Sequence, residues 1–306
     1  MKTDTAVIGT VFVDCKGFAA YRYDPLGRNI GSVKFIHGGV GRNVAENLAT
    51  AGLPVTFLSS VDDNALGREI IQRLNDKGVD TSHTETAEAA GMGIWLAVMD
   101  QDGELVSSVS QMPNLAILEE TIDKSGDEII SRTGSVVLEL DLNEHISGRV
   151  LELAKKHSKS VYGITGNMEV ILKNKNFLRN MECYICNDIE AGRLFEKDLT
   201  KLGPDDMLDV LTRGAGELGV TSMVITMGEK GSVYYDARAR EKGFCPAIPT
   251  KVVDSSGAGD AFFSGTVVGL IHGLTLAEAV KYGTHLASWT IQVEAPTCET
   301  FPGKQI

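Results

Sequence analysis

The chain has 306 residues, 43% hydrophobic and 23% charged, enough for one large α/β domain with a sizeable core. Its 29 Lys and Arg against 41 Asp and Glu give a net charge of −12, which argues against a general nucleic-acid binder but leaves room for a small phosphate ligand held by local N–H groups. Cys15, Cys183, Cys186, Cys245 and Cys298 are scattered and odd in number, so reduced thiols are expected, and the single CxxC at 183–186 lacks the further ligands of a zinc site.

Residues 1–5 run into a strand expected over 6–13, without a signal-peptide or transit pattern. No apolar run approaches the roughly 20 residues of a bilayer span, and 304–306 is not a peroxisomal address, so a cytoplasmic protein is expected. A helix over 40–51, a strand over 55–61 and a helix over 65–77 follow, both helices closed by glycine. Then come a strand over 135–140, a helix over 147–157 and strands over 160–164 and 183–186. A helix over 205–218 and a strand over 222–226 lead to short strands near 232–235 and 242–245. Residues 250–253 also read as strand-like, and helices over 261–272 and 276–291 close the chain. This alternation predicts a mostly parallel sheet with helices on both faces and ligands at the strands' carboxyl ends. Two regions break the rhythm: 18–36, and a hairpin over 91–109 whose turn contains Gly103. Together they could form a small extra sheet acting as a lid, and its exposed edges would support a homodimer.

The most informative motif is Asp254-Ser-Ser-Gly-Ala-Gly-Asp-Ala-Phe262. It places Gly257, Ala258 and Gly259 at a helix N-terminus, where unpaired N–H groups and the helix dipole attract anions. Asp260 sits at the same corner, so a base stands beside an anion cradle, the layout of phosphoryl transfer to a hydroxyl; a capped glycine turn is the plainer alternative. The helix dipole is expected to keep Asp260 ionised.

Gly38-Gly-Val-Gly-Arg-Asn43 opens a helix, with glycines that permit close approach and an Asn suited to a vicinal diol. Asp14, expected at the end of the first strand, could accept from two hydroxyls. Asn187-Asp-Ile-Glu190 could place two oxygen ligands on one face for magnesium, or be a helix cap. Thr226-Met-Gly-Glu-Lys-Gly231 follows a strand and could line a nucleotide pocket. The one full GxGxxG, Gly214 to Gly219, follows a helix instead of a strand and reads as a helix C-terminus; no P-loop motif is present.

In this order the four motifs resemble the ribokinase-like (PfkB) family of sugar and nucleoside kinases, across essentially the whole chain. The resemblance implies a three-layer α/β/α fold with a mostly parallel central sheet and a small β-sheet lid. It also implies a single kinase domain over 1–306, with the lid formed from about 12–36 and 91–112. It implies ATP and Mg2+ as cofactors and a small-molecule sugar or nucleoside as substrate. Asp260 would be the base, and Gly257, Ala258 and Gly259 the anion hole. Asp14, Gly38, Gly39, Arg42 and Asn43 would bind the acceptor. Asn187, Glu190, Thr226, Gly228 and Gly231 would bind the nucleotide, with Asn187 and Glu190 organising the metal. Ser255 replaces the usual Thr and leaves a monovalent-cation site, such as one for K+, open; Asn167 departs from the Asp of many members. Residues 34–47 are most similar to pseudouridine kinases, which implies phosphorylation of the pseudouridine 5′-hydroxyl. Ribose, another nucleoside or a sugar is the alternative acceptor, and a non-catalytic nucleoside-binding regulator is a third reading. Tyr23, Gln111, Met112 and Asn114 are candidates for reading the base.

Overall fold

The computed structural model describes residues 4–299 apart from Asp141 and Asn167. The expectations for 1–3, Asn167 and 304–306 therefore lie outside the described residues.

Two sheets carry the fold. The larger contains β1 (Thr5–Ile8), β4 (Val55–Asp62), β5 (Val79–Asp80), β6 (Thr84–Ala87), β9 (Ser135–Glu139), β10 (Ser160–Ile164), β11 (Cys183–Asn187), β12 (Ser222–Thr226), β13 (Ser232–Asp236) and β14 (Glu241–Cys245). Its order is β14-β13-β12-β11-β10-β9-β1-β4-β5, with β6 also on β4. All pairs from β12 to β4 and its two partners are parallel; β13 and β14 form an antiparallel edge. The smaller sheet is β3-β2-β7-β8, built from β2 (Phe12–Ala19), β3 (Gly31–Gly38), β7 (Gly93–Met99) and β8 (Leu105–Gln111).

Alternation along the parallel strands divides the interior into two cores, as a sheet buried on both faces requires. Ala6 and Ile8, Val136 and Leu138, and Met223 and Ile225 face one core. That core is completed by α3 (Ala116–Arg132), α4 (Glu144–Lys156), α6 (Asp188–Phe195) and α7 (Pro204–Leu218), with the single-turn α5 (Glu169–Lys173) beside them. Val7, Val137 and Val224 face the other, packed by α1 (Val40–Thr50), α2 (Ala65–Asp76), α8 (Ala258–Ile271) and α9 (Leu276–Thr290). The expected three layers and extra sheet are present. Among the described residues, no helix is long and apolar enough to cross a membrane. Gly219 ends α7 in the left-handed conformation, as expected for the misleading glycine motif.

Several elements differ from expectation. The run 6–13 is two strands: after Ile8 the chain breaks at Gly9, which packs against Gly41 at the start of α1, and re-enters at Phe12 in the other sheet. Asp14 therefore stands within the small sheet, opposite Ile36 and Trp95, and does not end a strand of the large one. Residues 250–253 pair with no strand. Helix α3 went unread, although Leu118, Ile122, Ile129 and Ile130 keep helical spacing. Its internal Gly126 and lack of an acidic or hydroxyl residue at the N-cap weaken the local signal; Asn114 caps it from two residues before, accepting from the Ala116 N–H at 3.1 Å.

Candidate active site

Helix α8 begins at the carboxyl edge of the parallel strands. Gly257, its N-cap, has φ 74°, and a Cβ there would lie 1.9 Å from the Pro296 carbonyl oxygen, so only glycine fits. The turn takes one amide for itself: Ala258 N–H donates to Ser255 O at 3.2 Å. The expected three-amide cradle is thus altered. Among the described residues, the N–H groups of Gly257, Gly259 and Asp260 donate to no protein acceptor, and a Cβ on Gly259 would meet open space. A helix N-terminus with such free donors is built to receive an anion.

Two cavities meet at this turn. The first, of about 390 Å³, lies between the large sheet and the small one and is reached by Ser256, Gly257 and Asp260. The second, of about 580 Å³, lies on the other side and is reached by Ser255, Ala258 and Gly259. Both fall within the size of small-molecule sites, about 300–1,000 Å³. A third, of about 310 Å³ between α6 and α7, is remote from the turn and is rimmed by Lys175, Lys197 and Arg213.

The first cavity is polar at its floor. Asp14, Gly38, Gly39 and Asn43 line it, as expected. Gly39 has φ 97°, and a Cβ on it would strike Thr10 O at 2.5 Å, which lets the chain turn into α1 directly beneath the cavity. Asn43 Nδ2 donates to Asp260 Oδ2 at 2.6 Å, while its buried Oδ1 has no partner. A buried acceptor left open beside a cavity is where a ligand hydroxyl would donate. Burial pushes Asp14 above the ordinary carboxylate range, against the charges of Lys16 and Arg42.

Glu139 was missed from sequence. It ends β9, is buried, and lines the same cavity. It accepts from Thr10 N–H at 2.8 Å, Thr10 Oγ1 at 3.1 Å and Gly41 N–H at 3.2 Å, and burial raises its pKa. The signal was a lone acid near the end of an otherwise apolar strand. Apolar walls were missed too: Phe12, Trp95, Leu115 and Leu142 close the cavity, together with Met112. Of the four proposed base readers only Met112 lines it. Asn114 caps α3, Gln111 pairs with Ile94 on an exposed strand, and the Tyr23 backbone bonds Gln101.

Arg42 is a correction. Its side chain is 1% exposed and lines neither cavity. Nη1 pairs with Glu46 at 2.8 Å, and the other donors reach the carbonyls of Gly38 and His37. As the first residue after Gly41 on α1, it points to the helix's inner face, away from the pocket that Asn43 faces.

Asp260 also departs from expectation. Burial raises its pKa to about 7; the Asn43 hydrogen bond and Arg42 oppose this, and Glu139 and Glu190 add to it. Desolvation and two acidic neighbours outweigh the helix terminus. A carboxyl poised near neutrality suits general-base work.

Asn187 and Glu190 form a reciprocal capping box: Asn187 Oδ1 accepts from Glu190 N–H, and Glu190 Oε2 from Asn187 N–H, each at 2.8 Å. Neither lines the two cavities, although Glu190 is close enough to act on Asp260. Thr226, Gly228 and Gly231 do line the second cavity, together with Ala247, Ile248, Val252, Ala287 and Ile291. Among the described residues no group of three acidic, His or Cys side chains could hold a metal alone. Glu190 keeps one carboxylate oxygen outside the capping box. The residues therefore fit a magnesium ion that takes most ligands from phosphate and water.

The model of the pfkB family of carbohydrate kinases matches residues 2–300. The chain belongs to that family. It is an ATP-dependent phosphotransferase with the ribokinase-like fold. This kinase is 38% identical over 286 residues to guanosine-inosine kinase of Exiguobacterium acetylicum, covering 94% of this chain and 93% of that one. It is 26% identical over 294 residues to pseudouridine kinase of Escherichia coli (strain K12), covering 96% and 92%. The kinase superposes on Arabidopsis thaliana ribokinase complexed with ribose and ATP with a TM-score of 0.83, at 21% identity, covering 97% and 95% of the two chains.

Proposed function

We propose that the protein transfers the γ-phosphoryl group of ATP to the 5′-hydroxyl of a nucleoside, with the acceptor in the cavity under the small sheet and ATP in the cavity beyond the α8 turn. The single observation that carries this reading is the meeting of two cavities at free amides beside Asp260. The two ligands would approach one anion cradle from opposite sides, as in-line transfer requires.

Asp14, the open Oδ1 of Asn43 and Glu139 would hold the ribose hydroxyls, and Gly38 and Gly39 would let the sugar lie on the backbone. Asp260 accepts the proton of the attacking hydroxyl. The amides of Gly257, Gly259 and Asp260 stabilise charge on the transferring group. Thr226, Gly228 and Gly231 border the nucleotide. Magnesium bound with ATP would neutralise charge on the phosphates, and Glu190 would hold it through the oxygen outside the capping box, with Asn187 fixing Glu190.

The apolar walls around Trp95, Met112 and Leu142 favour a nucleoside over a bare sugar, since a ribose alone would leave them wet. Guanosine or inosine is the preferred acceptor, supported by the full-length similarity to a kinase of those nucleosides. Pseudouridine is the second reading, supported by residues 34–47 and the weaker similarity to its kinase. A kinase assay with guanosine, inosine, pseudouridine, uridine, adenosine and ribose tests this. Turnover highest with guanosine or inosine is expected. A preference for pseudouridine selects the second reading, and for ribose it removes the nucleoside assignment. Binding without phosphate transfer to any of them removes the catalytic one.

The small sheet is proposed to act as a lid and as a dimer surface. Phe35, Cys15, Leu96 and Val109 form one cross-strand row on the side away from the cavity, with Phe35, Leu96 and Val109 58%, 45% and 65% exposed. Burying such a row against a second copy would remove it from water. Sedimentation of the wild type and Val109→Glu tests it, with a dimer expected only for the former.

A further inference from the structure

The proposed acceptor side rests on a buried charge relay that no step of the reaction uses. Arg42 and Glu46, one turn apart on α1, are 1% and 0% exposed and 2.8 Å apart. Glu46 also accepts from Arg73 of α2 at 2.6 Å and from Thr297 Oγ1 at 2.8 Å. Arg73 continues to Glu299 at 3.0 Å, which Lys77 joins at 3.3 Å. On the next turn of α1, Asn47 Oδ1 accepts from Cys298 N–H at 2.9 Å. Arg42 meanwhile donates to the carbonyls of His37 and Gly38.

Two distant segments are thus fastened to the same turns of one helix. Both border the site: Gly38 and Gly39 line the first cavity, and so does Pro296, whose carbonyl packs on Gly257. Asn43, beside Arg42, holds Asp260. Buried ion triads add little stability over apolar replacements, because desolvation cancels most of the attraction. Holding several backbone and side-chain acceptors at fixed angles is what a guanidinium fork does and an apolar side chain cannot.

We propose that Arg42, Glu46 and Arg73 are positioning residues, which keep segments 37–39 and 296–299 in register on α1 so that Asn43 and Gly257 meet Asp260 in alignment. The role rests on the kinase reading of Asp260. Charged groups acting on Asp260 are Arg42 from α1, Glu139 from β9 and Glu190 from α6; Arg42 is the cation among them. The charges of Glu46, Arg73 and Asp260 act in turn on Arg42, and those of Arg42, Glu69, Arg73 and Glu46 act on His37.

The test compares full-length Arg42→Met, Arg42→Lys and Thr297→Val by kinetics, pH profile and amide hydrogen exchange. Arg42→Met should raise the acceptor KM roughly ten- to a hundredfold while the ATP KM stays within about twofold. Its acid limb in kcat/KM should move to higher pH, and exchange should quicken at both 37–39 and 296–299. Arg42→Lys keeps the charge without the fork, so it should restore the acid limb but not the KM. Thr297→Val removes only the hydroxyl that donates to Glu46 and accepts, at 3.4 Å, from Arg73, and should fold where Arg42→Met fails to. Faster exchange at 37–39 in that variant, across the relay from the change, is expected. Unchanged exchange there, or an Arg42→Met variant with only a lower Tm, overturns the proposal. A wild type inactive on every nucleoside and sugar instead overturns the reading of Asp260, and the exchange result still decides whether the relay couples the two segments.

Discussion

The two cavities beside the α8 turn use opposite chemistry. The one under the small sheet brings Asp14, Glu139, Asp260 and Asn43 to one floor. The one beyond the turn has Glu229 as its single acidic lining residue and is otherwise glycine, hydroxyl and apolar, with Phe262 among the apolar side chains. Carboxylates discriminate hydroxyl groups, which donate to them, and repel phosphates. Apolar walls with free amides accept a flat base and a polyanion, and Glu229 is the one carboxylate among their lining residues, against three on the other side. The difference supports the proposed placing of acceptor and nucleotide, and each prediction below strikes one side while sparing the other.

Asp260→Asn should have the largest effect. Turnover should fall by about 10²–10⁴-fold, the contribution of a general base. In the wild type, kcat/KM for the acceptor should rise with pH through about 7, since the ionised carboxylate is the active form, and this limb should vanish in the variant. Stability should move the other way. The folded pKa of about 7 lies above the ordinary 3.8, so the stabilising contribution of this group is complete below 3.8 and lost as pH rises through 7. The variant should therefore be the more stable protein at pH 8, by an amount on the order of 1 kcal/mol after allowance for the carboxyl's contact with solvent. Thermal melts at pH 5 and 8 measure it, and equal Tm differences at both would contradict the burial argument.

Glu139→Gln comes next and sharpens the polar side. It keeps the shape and one acceptor, so Thr10 and Gly41 stay partly bonded, but it removes a negative charge near Asp260. The acceptor KM should rise roughly tenfold, as expected for loss of one charge-assisted hydrogen bond, with the ATP KM little changed. The acid limb of the pH profile should shift to lower pH. A shift to higher pH would mean that Glu139 does not act on Asp260 through charge.

The glycine turn at the start of α8 was legible because Asp254 to Phe262 combines a glycine turn, an acid and an apolar helix in nine contiguous residues, all acting locally. The succession of strands and helices along the chain was legible for the same reason, since alternation and glycine stops are short-range signals, but the order of the strands within the sheet was not. Glu139 and the relay around Glu46 were not. Glu139 becomes part of the site only because β9 lies next to β1 in the sheet, which brings it to Thr10. Glu46 meets Thr297 across 251 residues of sequence. Arg42 shows the limit most plainly: Gly38, Gly39 and Asn43 of its motif line the cavity and Arg42 does not, because a one-residue step around α1 separates the pocket face from the buried face.

Gly259→Ala tests whether the turn serves a ligand or only the fold. A Cβ there meets nothing within 4 Å in the protein, and Ala is the better helix former by about 1 kcal/mol. The variant should keep or gain stability. It should nevertheless lose at least about tenfold in turnover, because the methyl occupies the space where phosphate oxygens approach the free amides. Unchanged kinetics would show that nothing binds at that corner. Gly257→Ala cannot make this distinction, since the Pro296 carbonyl would be struck with or without a ligand.

The smallest effect separates the apolar side from the polar one. Val252 lines the second cavity and is 58% exposed, in a segment that pairs with no strand. An aliphatic side chain on an unpaired segment at a cavity rim adds little to folding. Its value would come from being covered by a base. Val252→Ala removes two methylene equivalents of such contact, only partly buried, worth about 1 kcal/mol, or roughly a fivefold rise in the ATP KM. Acceptor KM and Tm should stay as in the wild type. If the acceptor KM rises instead, the two ligands lie on the opposite sides from those proposed, and Asp260 would face the nucleotide; if neither changes, the base does not reach this rim and Ala287 and Ile291, deeper in the same cavity, become the surfaces that hold it.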